Sequence, residues 1–100
     1  MPDLPDFGFA PPPFNADNAL AQLKRSLRDL KLAERGIAFE LRGKRVVELQ
    51  VEGPAAIAVR LARRLALTPE WDKRAVTSPA DQRKLLDEVT KRLERWERED

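Results

Sequence analysis

The sequence predicts an α+β fold: a small antiparallel sheet, built from a β-hairpin and admitting a short third strand, covered by three helices in the order α-β-β-α-(β)-α. Three observations carry that prediction. Leu20, Leu23, Leu27 and Leu30 recur at helical spacing, and Leu85, Val89, Leu93 and Trp96 do so near the other end. Between them, residues 37–52 switch to a period of two. A chain of 100 residues leaves room for one core, burying roughly 60–65% of the unfolded surface. The expected organisation is an extended arm over residues 1–14, followed by a single domain over 15–100.

Residues 1–14 hold five of the eight prolines, and proline, lacking an amide donor, fits neither a helix interior nor a central strand. The same stretch carries Phe7, Phe9 and Phe14, three of the six aromatics. Either the arm lays these rings on its own core, or it offers them to a partner's groove. Asn15 or Asp17 caps a first helix, which the leucine stripe carries to about Arg35, where Gly36 supplies the positive φ of a helix end. Ile37, Phe39 and Leu41 form one face of the first strand, and Val47, Leu49 and Val51 the matching face of the second. A two-residue Gly43-Lys44 turn puts these sets on opposite faces, so the hairpin needs a three-residue loop or a bulge at Val46-Val47. Of the loops, Arg42–Lys44 is favoured, because Gly43–Arg45 sets Glu40 opposite Glu48. Gly53-Pro54 opens a second helix to about Leu67, with Ile57, Leu61 and Leu65 buried. Thr68-Pro69-Glu70-Trp71 resembles a capped turn, and 73–77 admits a short edge strand. Ser78-Pro79 caps and starts the last helix.

Composition excludes much chemistry. The sequence has no histidine, no cysteine and no tyrosine, so the usual acid–base catalyst, thiolate nucleophile and soft metal ligand are missing. Ser78 and Thr68 serve as caps, and no glycine elbow accompanies Ser26 or Thr90. Glu40, Glu48 and Glu52 give a carboxylate set with a solvated face as its simpler explanation. Gly43-Lys44 lacks the spacing and the strand-to-helix context of a phosphate loop. The expectation is therefore no catalytic residue, no cofactor and no metal. The opening Met1-Pro2-Asp3-Leu4-Pro5-Asp6 lacks signal-peptide character, and the longest aliphatic run, Ala55 to Val59, is far short of the roughly 20 residues of a membrane span. A cytoplasmic protein without membrane contact is expected.

What remains is binding by contact. The formal charge is +2, with the positive surplus in residues 17–36 and 54–78. A protein partner is the first expectation, with Phe7, Phe9 and Phe14 as anchors and Arg42, Lys44 and Arg45 as a rim that steers an acidic surface. The hairpin's open edge and Trp71 or Trp96 are further docking surfaces, in a monomer or weak homodimer. The alternative is nucleic acid, with phosphates contacted by the hairpin tip together with Lys24, Arg28, Lys31 and Arg35, or with Arg60, Arg63 and Arg64. Against it, no aromatic is interleaved with these cations to stack on bases.

Overall fold

The computed structural model describes residues 14–99; Phe7 and Phe9 lie outside the described residues. Helix α1 (Ala16–Asp29) is followed by strands β1 (Ala33–Arg35), β2 (Ala38–Leu41), β3 (Lys44–Val51), β4 (Ile57–Ala62) and β5 (Trp71–Val76), and helix α2 (Pro79–Arg98) completes the order. The strands form one antiparallel meander, β1-β2-β3-β4-β5. The fold is α+β as expected, but with two helices and five strands rather than three helices over a small sheet.

The second expected helix is β4 and its flanking loops. In a helix sharing the Ile57, Leu61 and Leu65 stripe, Val59 would point about 200° away, into water. As a strand, the same segment buries Ile57, Val59 and Leu61 together, at roughly 1.5–3 kcal/mol for each large apolar side chain. Helix propensities differ by no more than about 0.7 kcal/mol per residue among ordinary side chains, so the alanines at 55, 56, 58 and 62 do not outweigh that burial. Thr68-Pro69 then leads into β5 without a helical turn.

Helix α1 starts where expected, with the Asn15 side chain accepting from the Asn18 N–H at 3.0 Å. It ends earlier than Gly36 suggests. Lys31 takes the left-handed conformation (φ 72°), its N–H bonds to the Arg28 carbonyl and the Leu32 N–H reaches back to Leu27. These paired bonds are those of a Schellman ending. The hairpin turns on Arg42 and Gly43, both at positive φ, and takes the bulge: Phe39 pairs with Val47 but Glu40 with Arg45, leaving Val46 as the extra residue.

Both helices lie on one face of the sheet. Leu23 and Leu27 from α1 and Leu85, Val89, Leu93 and Trp96 from α2 join Phe39, Val47, Leu49, Ile57, Val59, Leu61 and Val76 in one buried cluster. The Trp96 indole N–H donates to the Ala62 carbonyl at 3.2 Å, so this large ring is buried without an orphaned donor. Among the described residues, no helix lies on the opposite face of the sheet.

Candidate functional site on the uncovered sheet face

Strand side chains alternate between faces. Val47, Leu49, Val59 and Leu61 point at the helices, so Glu48, Gln50, Ala58 and Arg60 point away. The register then sets Arg35, Ala38, Glu48, Arg60 and Lys73 in one row across all five strands, and Gln50, Ala58 and Ala75 in the next row. The alanines make a low floor. A groove of about 430 Å³ opens over them, walled by Ile37 and Glu52 toward one side and by Glu48, Arg60 and Lys73 toward the other. Ile37 is 52% exposed, so apolar area remains available at its rim.

Glu48 anchors the charged row. Although it is only 6% exposed, its carboxylate accepts from Arg60 through both Nε, at 2.9 Å, and Nη2, and Arg45 Nη1 lies 3.6 Å away. With Arg60 half-exposed, such a pair contributes about 1 kcal/mol net. Its larger consequence is positional: the Arg60 guanidinium is held 5.2 Å from the centroid of the Trp71 ring, within cation–π range. The arrangement offers a low floor of Ala58 and Ala75 beside Gln50, with Ile37 and a fixed Glu48–Arg60 pair at its sides. It can hold a ligand, and it lines up no nucleophile with a base.

The helix-covered side shows how the sheet is pinned. Asp72 accepts from Arg63 Nε and Arg92 Nη2, each at 2.8 Å, and these two guanidiniums hold its carboxyl below the ordinary range. Glu88 accepts from Arg74 Nε at 3.0 Å and from Arg92 Nη2 at 2.8 Å. Its carboxyl is likewise lowered, by Arg74 first and Arg92 second. Arg63 and Arg74 are raised by the same contacts.

The residues singled out in the sequence are dispersed by the fold. Phe14 is partly buried against the core. Arg42 donates to the Glu97 and Glu99 carbonyls at 3.3 and 3.4 Å, at the C-terminal end of α2. Lys44 opens β3 and Arg45 faces Glu48. Lys24 and Arg28 both meet Glu34, at 3.2 and 2.7 Å, and Arg35 lies 3.7 Å from Glu40. Arg60 is engaged by Glu48, and Arg63 by Asp72 and Glu70. Lys31 sits in the α1 ending and Arg64 is exposed beyond β4. The two alternative cation sets thus lie on different elements, Lys24, Arg28, Lys31 and Arg35 on α1, its ending and β1, and Arg60, Arg63 and Arg64 on β4 and the segment after it.

Two expected docking surfaces are corrected. Trp96 is fully buried, and the β2–β3 hairpin has no open edge, because β1 pairs on one side and β4 on the other. The signals for the groove are small residues: Ala75 lies in the segment 73–77 that admits an edge strand, whereas Ala58 reads as a helix-compatible alanine until β4 is known to pair with β5. No helix among the described residues is long and apolar enough to cross a membrane. Comparison of the chain with protein-family models, curated proteins and solved structures finds no match.

Proposed function

We propose that the chain is a non-catalytic binding module that takes a protein segment on the uncovered face of its sheet. The observation that carries this reading is the groove over Ala58 and Ala75, lined by apolar residues together with Gln50 and charged side chains of both signs, a mixture that suits a peptide chain. Nucleic acid is the weaker reading. In each of the two cation sets that could join the hairpin tip, most members are within ion-pair distance of a carboxylate: Lys24, Arg28 and Arg35 in one, Arg60 and Arg63 in the other.

A phage-displayed library of random peptides, panned on the whole protein, tests it. Enriched peptides are expected to shift the amide NMR signals of Gln50, Ala58, Arg60 and Lys73, and to lose at least tenfold in affinity against Ala58→Arg, which fills the floor. Peptides that bind Ala58→Arg as well as the parent protein, or that shift only helix signals, would overturn the reading.

A further inference from the structure

We infer that the protein segment enters as a sixth strand on the free edge of β5, and that it is acidic; this rests on the reading of the uncovered face as a protein-binding surface.

The edge is defined by the ladder. Bonded and non-bonded pairs alternate along an antiparallel pair. The Arg63 N–H donates to the Glu70 carbonyl at 2.9 Å, just beyond the Ala62–Trp71 pair. Asp72, Arg74 and Val76 therefore direct their backbone groups to β4, and Trp71, Lys73 and Ala75 direct theirs outward. The Arg74 guanidinium, donating to the Lys73 carbonyl at 2.8 Å, occupies one outward acceptor. Among the described residues no strand pairs there. The other edge, β1, is only three residues long, whereas β5 is six.

Space exists on both sides of that edge. The groove reaches Lys73 and Ala75 on the uncovered face, and a second cleft of about 240 Å³ lies between β5 and α2, lined by Ala75, Val76 and Leu85 with Arg74, Lys84, Asp81 and Glu88 around them. Alternate side chains of an added strand would enter one or the other.

Charge selects the occupant. Of the carboxylates beside β5, Asp72 and Glu88 are neutralised by arginines, while Asp81 accepts from the Thr77 N–H and hydroxyl and shares its field with Lys84. Among the described residues Lys73, at the centre of the edge, has no carboxylate within ion-pair distance, which favours an acidic strand. A second copy is disfavoured: its outward residues must face outward residues, so the two central registers set Lys73 opposite Lys73 or Arg74 opposite Arg74, and facing like charges weaken a ladder.

Amide exchange of the full chain tests this with a blocked octapeptide alternating valine and glutamate, and with its lysine counterpart. The glutamate peptide is expected to slow exchange at Trp71, Lys73 and Ala75 by tenfold or more, with little change at Asp72, Arg74 and Val76. Ala75→Pro, which removes an outward donor and no bond to β4, is expected to weaken binding at least tenfold. Equal binding of the lysine peptide, or protection at these amides that grows with protein concentration alone, would overturn the inference. Shifts at Gln50 and Ala58 without edge protection would overturn strand addition while supporting the groove. No response at either place would overturn strand addition, leaving the groove to the panned peptides.

Discussion

Lys31 holds a φ of 72° in a position that glycine usually fills, and a side chain with a Cβ is strained there by about 1 kcal/mol. Its cost is tolerated because the ending it makes returns two amide bonds and buries Leu32 beside Leu27. Lys31→Gly is therefore expected to raise stability by about 0.5–1 kcal/mol, read as a higher urea midpoint with unchanged slope. An unchanged or lower midpoint would mean that the greater freedom of glycine in the unfolded chain outweighs the relief of strain. This position also explains why the leucine stripe and Gly36 overstate the length of the first helix. The sequence offers a glycine at 36 and a lysine at 31, and only the tertiary packing of Leu32 makes the lysine the stop. Glu48 is a similar case. Arg45 of its own strand lies 3.6 Å away, but the Arg60 and Ala38 that flank and bury it come from neighbouring strands, so its own segment does not mark it as a buried carboxylate.

At the scale of elements, legibility followed how many structures each pattern permits. The α2 stripe is too long and regular to be anything but a helix, and Leu85, Val89, Leu93 and Trp96 are buried as read. The segment 54–67 permits two structures, because Ile57, Leu61 and Leu65 satisfy a helical period while Ile57, Val59 and Leu61 satisfy a strand period. Alanine, small enough for either face, leaves the tie unbroken until β3 needs a neighbour. Element-to-element charge pairs then fix the layers, with Glu34 of β1 tied to Lys24 and Arg28 of α1, and β5 tied to α2 through Asp72 and Glu88. The carboxyls of Glu34, Asp72, Asp81 and Glu88 are all lowered, by Lys24 first, by Arg63 first, by the Thr77 N–H first and by Arg74 first, respectively. A carboxyl whose folded pKa lies below its unfolded value stabilises the fold fully above the unfolded pKa, near 4, and loses that contribution as pH falls through the folded pKa. With no histidine in the sequence, the melting temperature is expected to stay nearly flat from about pH 8 to 5.5 and to fall progressively below about pH 4.5. A calorimetric pH series checks this; a steep change near pH 6.5 would contradict it.

Over the whole molecule, the distribution of charge matters more than its sum. The formal charge of +2 and the clustered arginines suggested a phosphate-binding surface, yet the fold turns most of those arginines toward carboxylates on neighbouring elements. A guanidinium already paired must exchange one anion for another to take a phosphate, so it releases few counterions to drive the binding. The sequence showed which residues are charged, but pairing across strands and helices decides which of them are available. The same pairing leaves Lys73 at the centre of an open strand edge, an arrangement suited to one short acidic segment rather than to the regularly spaced phosphates of a duplex. Fluorescence anisotropy with a labelled 20-base-pair DNA duplex and a single-stranded RNA of equal length is therefore expected to show only weak association near 20 mM salt. That association should disappear by about 150 mM, with no difference between the charge-conserving double variant Glu48→Gln/Arg60→Gln and the parent protein, because removing a matched pair leaves the net charge unchanged. Saturable binding that persists at the higher salt and weakens in the double variant would show that the Glu48–Arg60 pair opens to phosphate, making the uncovered face a nucleic-acid surface instead.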